Sequence, residues 1–183
     1  MTDAASDTVT DTIRLGYIAA GPEGETDLLL RAVSDRLIAA GLSLAGTVQI
    51  NTLQPGRSKS DMDLFLLPQG PQIRISLDRG DAAKGCRLDT SALEEAAVIV
   101  AQRLEAADVL MVNKFGKQEA DGHGLADSVA AALTDGKPVL CGMADHFLEG
   151  FLNYASGHAT ELPRDADQVF DWVLTGHRAR LAG

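Results

Sequence analysis

The sequence predicts a single α/β domain with a mostly parallel sheet. Short apolar runs alternate with longer segments of helical spacing at the start of the chain and again from residue 108 onward, and this alternation is typical of right-handed βαβ units. A length of 183 residues suits one domain with a sizeable core. We therefore predict a flexible tail over residues 1–11 and one domain over residues 12–183.

The first half of the chain contains a strand–helix–strand unit followed by a hairpin. The apolar run IRLGYI at 13–18 predicts a buried strand. Residues 26–40 have apolar side chains every three to four positions with Gly41 behind them, which predicts a helix and its end. LAGTVQI at 44–50 predicts a second strand. Apolar stretches on both sides of QGP predict an antiparallel hairpin over 62–78, with one face in solvent.

The second half alternates helices and strands more regularly. The predicted elements are a helix over 90–107, a strand over 108–113, a helix that begins at Leu125, a strand over 137–143 and two amphipathic helices within 145–175. Ser91 and Glu94 have the spacing of a capping box, which predicts that they begin the first of these helices.

Charge and composition exclude several classes of protein. The net charge of −10 argues against general nucleic-acid binding, because such proteins need a basic surface to displace counterions. No apolar run is long enough to span a membrane, so we expect no membrane insertion. Two cysteines are too few for a disulfide framework, and no secretory signal is visible, so we expect a cytoplasmic protein. The histidines lack ligand spacing, and we predict no metal site.

The stretch AAGPEGETDLL at 19–29 stands where a phosphate-binding loop follows its strand. The pattern G-x-x-x-x-G-K-[ST] uses backbone amides, a lysine and a hydroxyl to hold phosphates and magnesium. Gly21, Gly24 and Thr26 remain here, but Ala19 replaces the first glycine and Glu25 the lysine. A unit charge about 4 Å from a phosphate contributes about 1 kcal/mol in water, so this change turns attraction into repulsion. Two interpretations stay open: an unusual anion-binding loop, and an ordinary loop with an acidic first helical turn.

A second stretch, VLMVNKFGKQE at 109–119, resembles the strand and loop of small nucleoside-triphosphatases of the thermophilic P-loop type. The segments GRSKSDMDLFLLPQG, ISLDRG, GCRLD and NKFGKQEADGHGL resemble the bacterial family called domain-of-unknown-function 2478 over nearly the whole chain. The resemblance implies a P-loop-NTPase-like three-layer domain in which the hairpin is an antiparallel elaboration. It also implies a link to molybdate uptake, which makes molybdate a candidate ligand.

In the resembled triphosphatases an acidic pair stands at the positions of Asn113 and Lys114. The former metal position is therefore neutral in this chain, and the next residue is a cation. We hypothesise that Glu25 and Lys114 pair across the vacated site; the alternative is that both are independently solvated.

Basic residues concentrate in the loops at 51–61, 78–89 and 113–124, which follow predicted strands, as does the loop at 19–25. Ligands of open α/β sheets bind outside the carboxyl ends of the strands, so several of these loops can converge on one anion. Alternatively, these basic side chains are simply solvated. The candidate anion-binding residues are Gly21, Gly24, Thr26, Arg57, Lys59, Arg79, Arg87, Lys114 and Lys117.

The leading prediction is a degenerate P-loop-like protein that binds a small anion without hydrolysing it. The anion is a nucleotide in an unusual mode or an oxyanion such as molybdate. One alternative is a divergent nucleoside-triphosphatase or kinase that recruits Lys114 or Lys117. A second is a protein-interaction module whose ancestral pocket is plugged by Glu25 and its partners. Cofactor and oligomeric state stay open.

Overall fold

The computed structural model describes residues 13–78, 80, 87–144 and 146–182. Over these residues seven strands form one sheet, with helices on both of its faces. The strands are β1 Leu15–Ile18, β2 Leu44–Thr52, β3 Asp61–Leu66, β4 Gln72–Arg74, β5 Val109–Phe115, β6 Val139–Met143 and β7 Ala159–Glu161. The helices are α1 Glu25–Ala39, α2 Thr90–Leu104, α3 Lys117–Ala120, α4 Ala126–Thr134, α5 Leu148–Ala155 and α6 Ala166–Ala182.

The sheet has the order β4-β3-β2-β5-β6-β1-β7. The five strands from β2 to β7 in that order pair in parallel, and β3 and β4 add an antiparallel edge next to β2. In register, Val139 of β6 lies between Leu15 of β1 and Leu110 of β5. The predicted mostly parallel sheet with an antiparallel hairpin is confirmed.

Two apolar clusters lie on opposite faces of this sheet, because successive residues of a strand point to opposite sides. In β5, Leu110 and Val112 belong to the cluster under α2, α4 and α5, whereas Val109 and Met111 belong to the cluster under α1 and α6. The domain therefore has three layers, helix–sheet–helix, as the resemblance implied.

Three local features differ from the sequence-based expectations. The side chain of Asp89, not Ser91, caps α2 by accepting from the amides of Ser91 and Ala92, and Glu94 instead accepts from the amide of Gly124 at 2.8 Å. Strand β7 was not predicted, because three residues at a sheet edge carry no usable periodicity. Strand β5 continues to Phe115, so Lys114 lies in the strand and not in the following loop.

The predicted tail over residues 1–11 lies outside the described residues. Among the described helices, none combines the length and the apolar character that crossing a membrane requires.

Candidate functional site

The loop from β1 to α1 brings the start of a long helix to the carboxyl edge of the sheet. Gly24 precedes the first residue of α1 with a φ of 81°, a left-handed conformation that favours glycine, and no side chain in the described part of the chain caps the helix there. The aligned peptide dipoles of a helix leave a partial positive charge at such an end, which attracts anions.

A cavity of about 580 Å³ opens beside this helix end, over the carboxyl ends of β1, β2, β5 and β6. We define its first wall as the lining residues between positions 20 and 27, and its second wall as those between 49 and 62. Arg87, Lys114 and Met143 complete the lining.

Six of the nine predicted anion-binding residues line this cavity: Gly21, Gly24, Thr26, Lys59, Arg87 and Lys114. Arg57 and Lys117 are not among the lining residues. Arg57 contacts Asp78 at 2.7 Å, and the exposed Lys117 pairs with Asp121 in the next helical turn. Arg79 lies outside the described residues.

Thr26 is the most unusual of the lining residues. It is only 7% exposed, and its hydroxyl has no hydrogen-bond partner among the described residues. Its methyl group packs against Gly142 at the end of β6, where a Cβ atom would lie 3.1 Å from that methyl and 2.2 Å from the Asn113 carbonyl. Glycine at 142 therefore lets both α1 and β5 lie close to this position of β6. A buried hydroxyl without a partner costs about 1–3 kcal/mol, and a ligand can satisfy it.

The carboxylate of Asp27, the next residue, also lines the cavity and was not predicted from the sequence. Asp27 is 5% exposed and is held by two amide side chains. Asn113 donates to its Oδ1 at 2.7 Å, Asn51 donates to its Oδ2 at 2.6 Å, and the Lys114 ammonium lies 3.9 Å from Oδ2. The site thus keeps a carboxylate next to Asn113, although it comes from α1 and not from the strand end.

Glu25 and Lys114, the two residues of the predicted pair, each have an ion-pair contact with another residue. Lys114 contacts Asp27, as described above, and Glu25 has its carboxylate 3.9 Å from the guanidinium of Arg164. Arg164 also donates to the carbonyl of Ala20 and packs against Gly21, where a Cβ atom would lie 2.2 Å from it. Glu25 is not among the cavity-lining residues. Its side chain is 59% exposed and contacts Arg164.

The second wall is fixed by a buried ionic network at the start of β3. Asp61 and Asp63 are both buried, and Arg74 reaches Asp61 at 3.0 Å and Asp63 at 2.5 Å. Arg87 donates to the carbonyls of Ser60 and Leu77 and lies 3.9 Å from Asp61. This network holds Arg87 against the loop that carries Lys59.

Two further buried ionisable groups are Glu119 in α3 and Cys141 in β6. Burial raises the pKa of Glu119, whose oxygens accept from the amides of Gly116 at 3.1 Å and Leu125 at 3.4 Å. Burial also raises the pKa of the Cys141 thiol well above its usual value, which makes this cysteine a poor nucleophile. Neither lines the cavity. The described part of the chain contains no cluster of three or more His, Cys, Asp or Glu residues suited to a metal ion.

Comparison with solved structures shows the fold class. The chain is similar to the solution structure of a human cancer-related nucleoside triphosphatase, with a TM-score of 0.56 and 14% sequence identity, over 91% of this chain and 98% of the other. At that identity the likeness shows a P-loop-NTPase-like fold alone.

Comparison of sequences gives a relative and a family. The chain is 32% identical over 163 residues to the molybdenum import ATP-binding protein ModC 2 of Bradyrhizobium diazoefficiens. The aligned region covers 88% of this chain and 18% of that protein. This chain therefore spans less than a fifth of that relative's length. A family model described as "Protein of unknown function (DUF2478)" matches residues 15–172. The chain belongs to this DUF2478 family, as its segments predicted.

Proposed function

We propose that the cavity binds a small anion, either a phosphate group of a nucleotide or an oxyanion such as molybdate, without hydrolysing it. The observation that carries the proposal is Thr26, a buried residue that lines the cavity at the start of α1 and whose hydroxyl has no partner among the described residues. An anion oxygen placed there accepts a hydrogen bond from this hydroxyl and meets the positive end of the helix dipole.

The charges and the size of the cavity support the same ligand class. Three cationic residues, Lys59, Arg87 and Lys114, line it, and they outnumber the two acidic lining residues, Glu23 and Asp27. Its volume of about 580 Å³ lies within the range of roughly 300–1,000 Å³ that is usual for small-molecule sites. A nucleotide and a free oxyanion both fit this volume.

The absence of hydrolysis is proposed from two substitutions. Phosphoryl transfer by P-loop proteins needs a loop lysine on the outer phosphates and a carboxylate that holds magnesium. Glu25, at the position of the loop lysine, contacts Arg164. Asn113, at the position of the metal-binding carboxylate, is hydrogen-bonded to Asp27 and to the backbone amide of Gln49. We therefore propose binding without a catalytic step.

One observation favours a second function, a divergent nucleoside-triphosphatase or kinase. Lys114 lines the cavity from β5, so this strand supplies a lysine where the loop supplies none. The curated relative is named as an ATP-binding protein. The third possibility, a pocket plugged by Glu25, loses its support because Glu25 is not among the lining residues.

The proposed partner is thus a small anion and not a nucleic acid, given the net charge of −10. We propose the cytoplasm as its compartment, because two cysteines give no disulfide framework.

The test is thermal unfolding with ATP, GTP, phosphate and molybdate, each with and without magnesium. Saturation at about 100 times the dissociation constant stabilises a protein by about 2.7 kcal/mol, which is easily measured as a rise in Tm. We expect stabilisation without magnesium, reduced in Lys114→Ala and retained in Lys117→Ala. Lys117 is the matched control because it is exposed and paired outside the cavity.

Two results contradict the proposal. If no anion raises the Tm, the cavity is not an anion site. If magnesium-dependent release of phosphate from ATP or GTP is found and is lost in Lys114→Ala, the protein is a hydrolase and not a binding protein.

A further inference from the structure

The hydrogen bonds around Asp27 have a fixed direction. The backbone N–H of Gln49 donates to Asn113 Oδ1 at 2.8 Å, and a backbone N–H can only donate. This identifies the oxygen of the Asn113 amide, so its NH₂ group is the part that faces Asp27. Asn113 is therefore a hydrogen-bond donor to Asp27.

The side-chain amide of Asn51 also donates to Asp27. The Gln49 side-chain Nε2 donates to Asn51 Oδ1 at 2.7 Å, which leaves Asn51 Nδ2 to donate to Asp27. The ammonium of Lys114, 3.9 Å from Asp27, can also only donate hydrogen bonds. All of these neighbours are donors, so Asp27 acts as a hydrogen-bond acceptor toward each of them.

Asp27 and Thr26 line the same cavity. Each carboxylate oxygen can accept about two hydrogen bonds, and one amide occupies each oxygen, so lone pairs remain for a ligand. A ligand in contact with Asp27 must bring a hydrogen. An anion without one places lone pairs against lone pairs and negative charge against negative charge.

We propose that Asp27 makes the cavity selective for tetrahedral anions that carry a hydrogen, namely phosphate and phosphate monoesters, over anions of the same shape that carry none, such as sulfate and molybdate. The inference rests on the proposed anion site and names its ligand class. The P–OH group donates to Asp27 while another phosphate oxygen accepts from Thr26. The last proton of a phosphate monoester has a pKa of about 6, so hydrogen-bearing forms are available near neutral pH. Sulfate and molybdate are fully deprotonated under the same conditions.

The experiment uses two pairs of anions that match in shape and differ in the hydrogen: phosphate with sulfate, and dilute orthovanadate with molybdate. Binding to the full chain is measured by calorimetry at neutral pH. Wild type is expected to bind phosphate and vanadate at least about tenfold more tightly than their partners, because a site built to receive a hydrogen bond rejects an analogue that lacks the donor.

Two variants separate the role of Asp27 from its charge. Asp27→Asn is expected to reduce both ratios to within about threefold and to bind sulfate and molybdate more tightly than wild type does, because the amide supplies a donor. Glu23→Gln removes one negative charge from the same cavity, where Glu23 is an exposed lining residue. This control is expected to strengthen all four anions alike and to leave the ratios unchanged.

Equal affinities within each pair in wild type, or unchanged ratios in Asp27→Asn, overturn the inference and leave the proposed anion site intact. Absence of binding by all four anions and by nucleotides overturns the proposed function itself. If Asp27→Asn does not fold, the two ratios in wild type decide the question alone.

Discussion

The first wall of the cavity contains a buried aspartate and the second wall has one beside it, and these two carboxylates have different partners. Asp27 in the first wall is bonded by the neutral amides of Asn51 and Asn113. Asp61 lies beside the second wall, between the lining residues Ser60 and Met62, and is surrounded by arginines, with Arg74 at 3.0 Å and two others at about 4 Å. Asp61 thus has three arginines within about 4 Å, whereas Asp27 has two hydrogen bonds from neutral amides and a single cation nearby, the Lys114 ammonium at 3.9 Å.

This difference indicates which wall is held in place by an ionic network and which wall we propose to contact the ligand. Beside the second wall the buried acid is part of a satisfied network that fixes the position of Arg87. On the first wall Thr26 keeps an unpartnered hydroxyl beside the charge of Asp27. Removing one carboxylate of a buried ion pair lowers folding stability, because the opposite charge stays buried without its partner. Removing a polar group that has no hydrogen-bond partner does not carry that cost.

The largest expected effect tests the second wall. Asp61→Ala removes the carboxylate 3.0 Å from Arg74 Nη1 and leaves Asp63 as the partner of that guanidinium, and we expect a loss of about 2 kcal/mol in the free energy of unfolding. This is below the roughly 3–5 kcal/mol of fully buried pairs, because the Arg74 side chain is 50% exposed. Denaturation in urea measures it.

The matched control for that change is Asp78→Ala, which removes an exposed carboxylate that also contacts an arginine of this network, Arg57, at 2.7 Å. A much smaller loss is expected there, because solvent screens an exposed ion pair. Equal losses for the two variants would show that burial does not distinguish Asp61, and the contrast between the walls would fail.

A smaller effect on stability, with a large effect on binding, is expected in the first wall. Thr26→Val removes the unsatisfied hydroxyl and keeps a branched side chain of similar shape, so we expect unfolding free energy unchanged or higher by about 1 kcal/mol. Stabilisation by anions is expected to disappear. Urea denaturation with and without phosphate measures both quantities.

Thr26→Ser supplies the control, because it keeps the hydroxyl and removes the methyl group that packs against Gly142. It is expected to lose stability and retain stabilisation by anions. If Thr26→Val is strongly destabilised and still responds to phosphate, the hydroxyl has a structural partner and does not contact a ligand.

The smallest effect is expected outside both walls, at Glu25. Its contact with Arg164 is exposed and 3.9 Å long, so Glu25→Gln is expected to change stability by less than about 0.5 kcal/mol. Anion affinity is expected to change little. Arg164→Ala is expected to cost more, about 1 kcal/mol, because that side chain also bonds to Ala20 and packs on Gly21. Loss of anion binding in Glu25→Gln would place Glu25 in the site after all.

The sequence by itself determined the fold class, the order of most elements and the edge of the sheet that carries the site. Helices and buried strands leave a local periodic pattern, and the carboxyl ends of parallel strands lie at one edge. Gly21, Gly24 and Thr26 could be found because a loop motif is contiguous in the chain. The short strand β7 was missed because its pairing with β1 is not a local property.

Only the tertiary structure decided which charged residues face the cavity. Among the basic candidates, Lys114 and Arg57 look alike in the sequence, yet the first lines the cavity and the second does not. Asp27 meets Asn51 across 24 positions and Asn113 across 86. Side-chain partners this far apart are brought together only when α1 packs against the sheet, so neither residue alone reveals the contact.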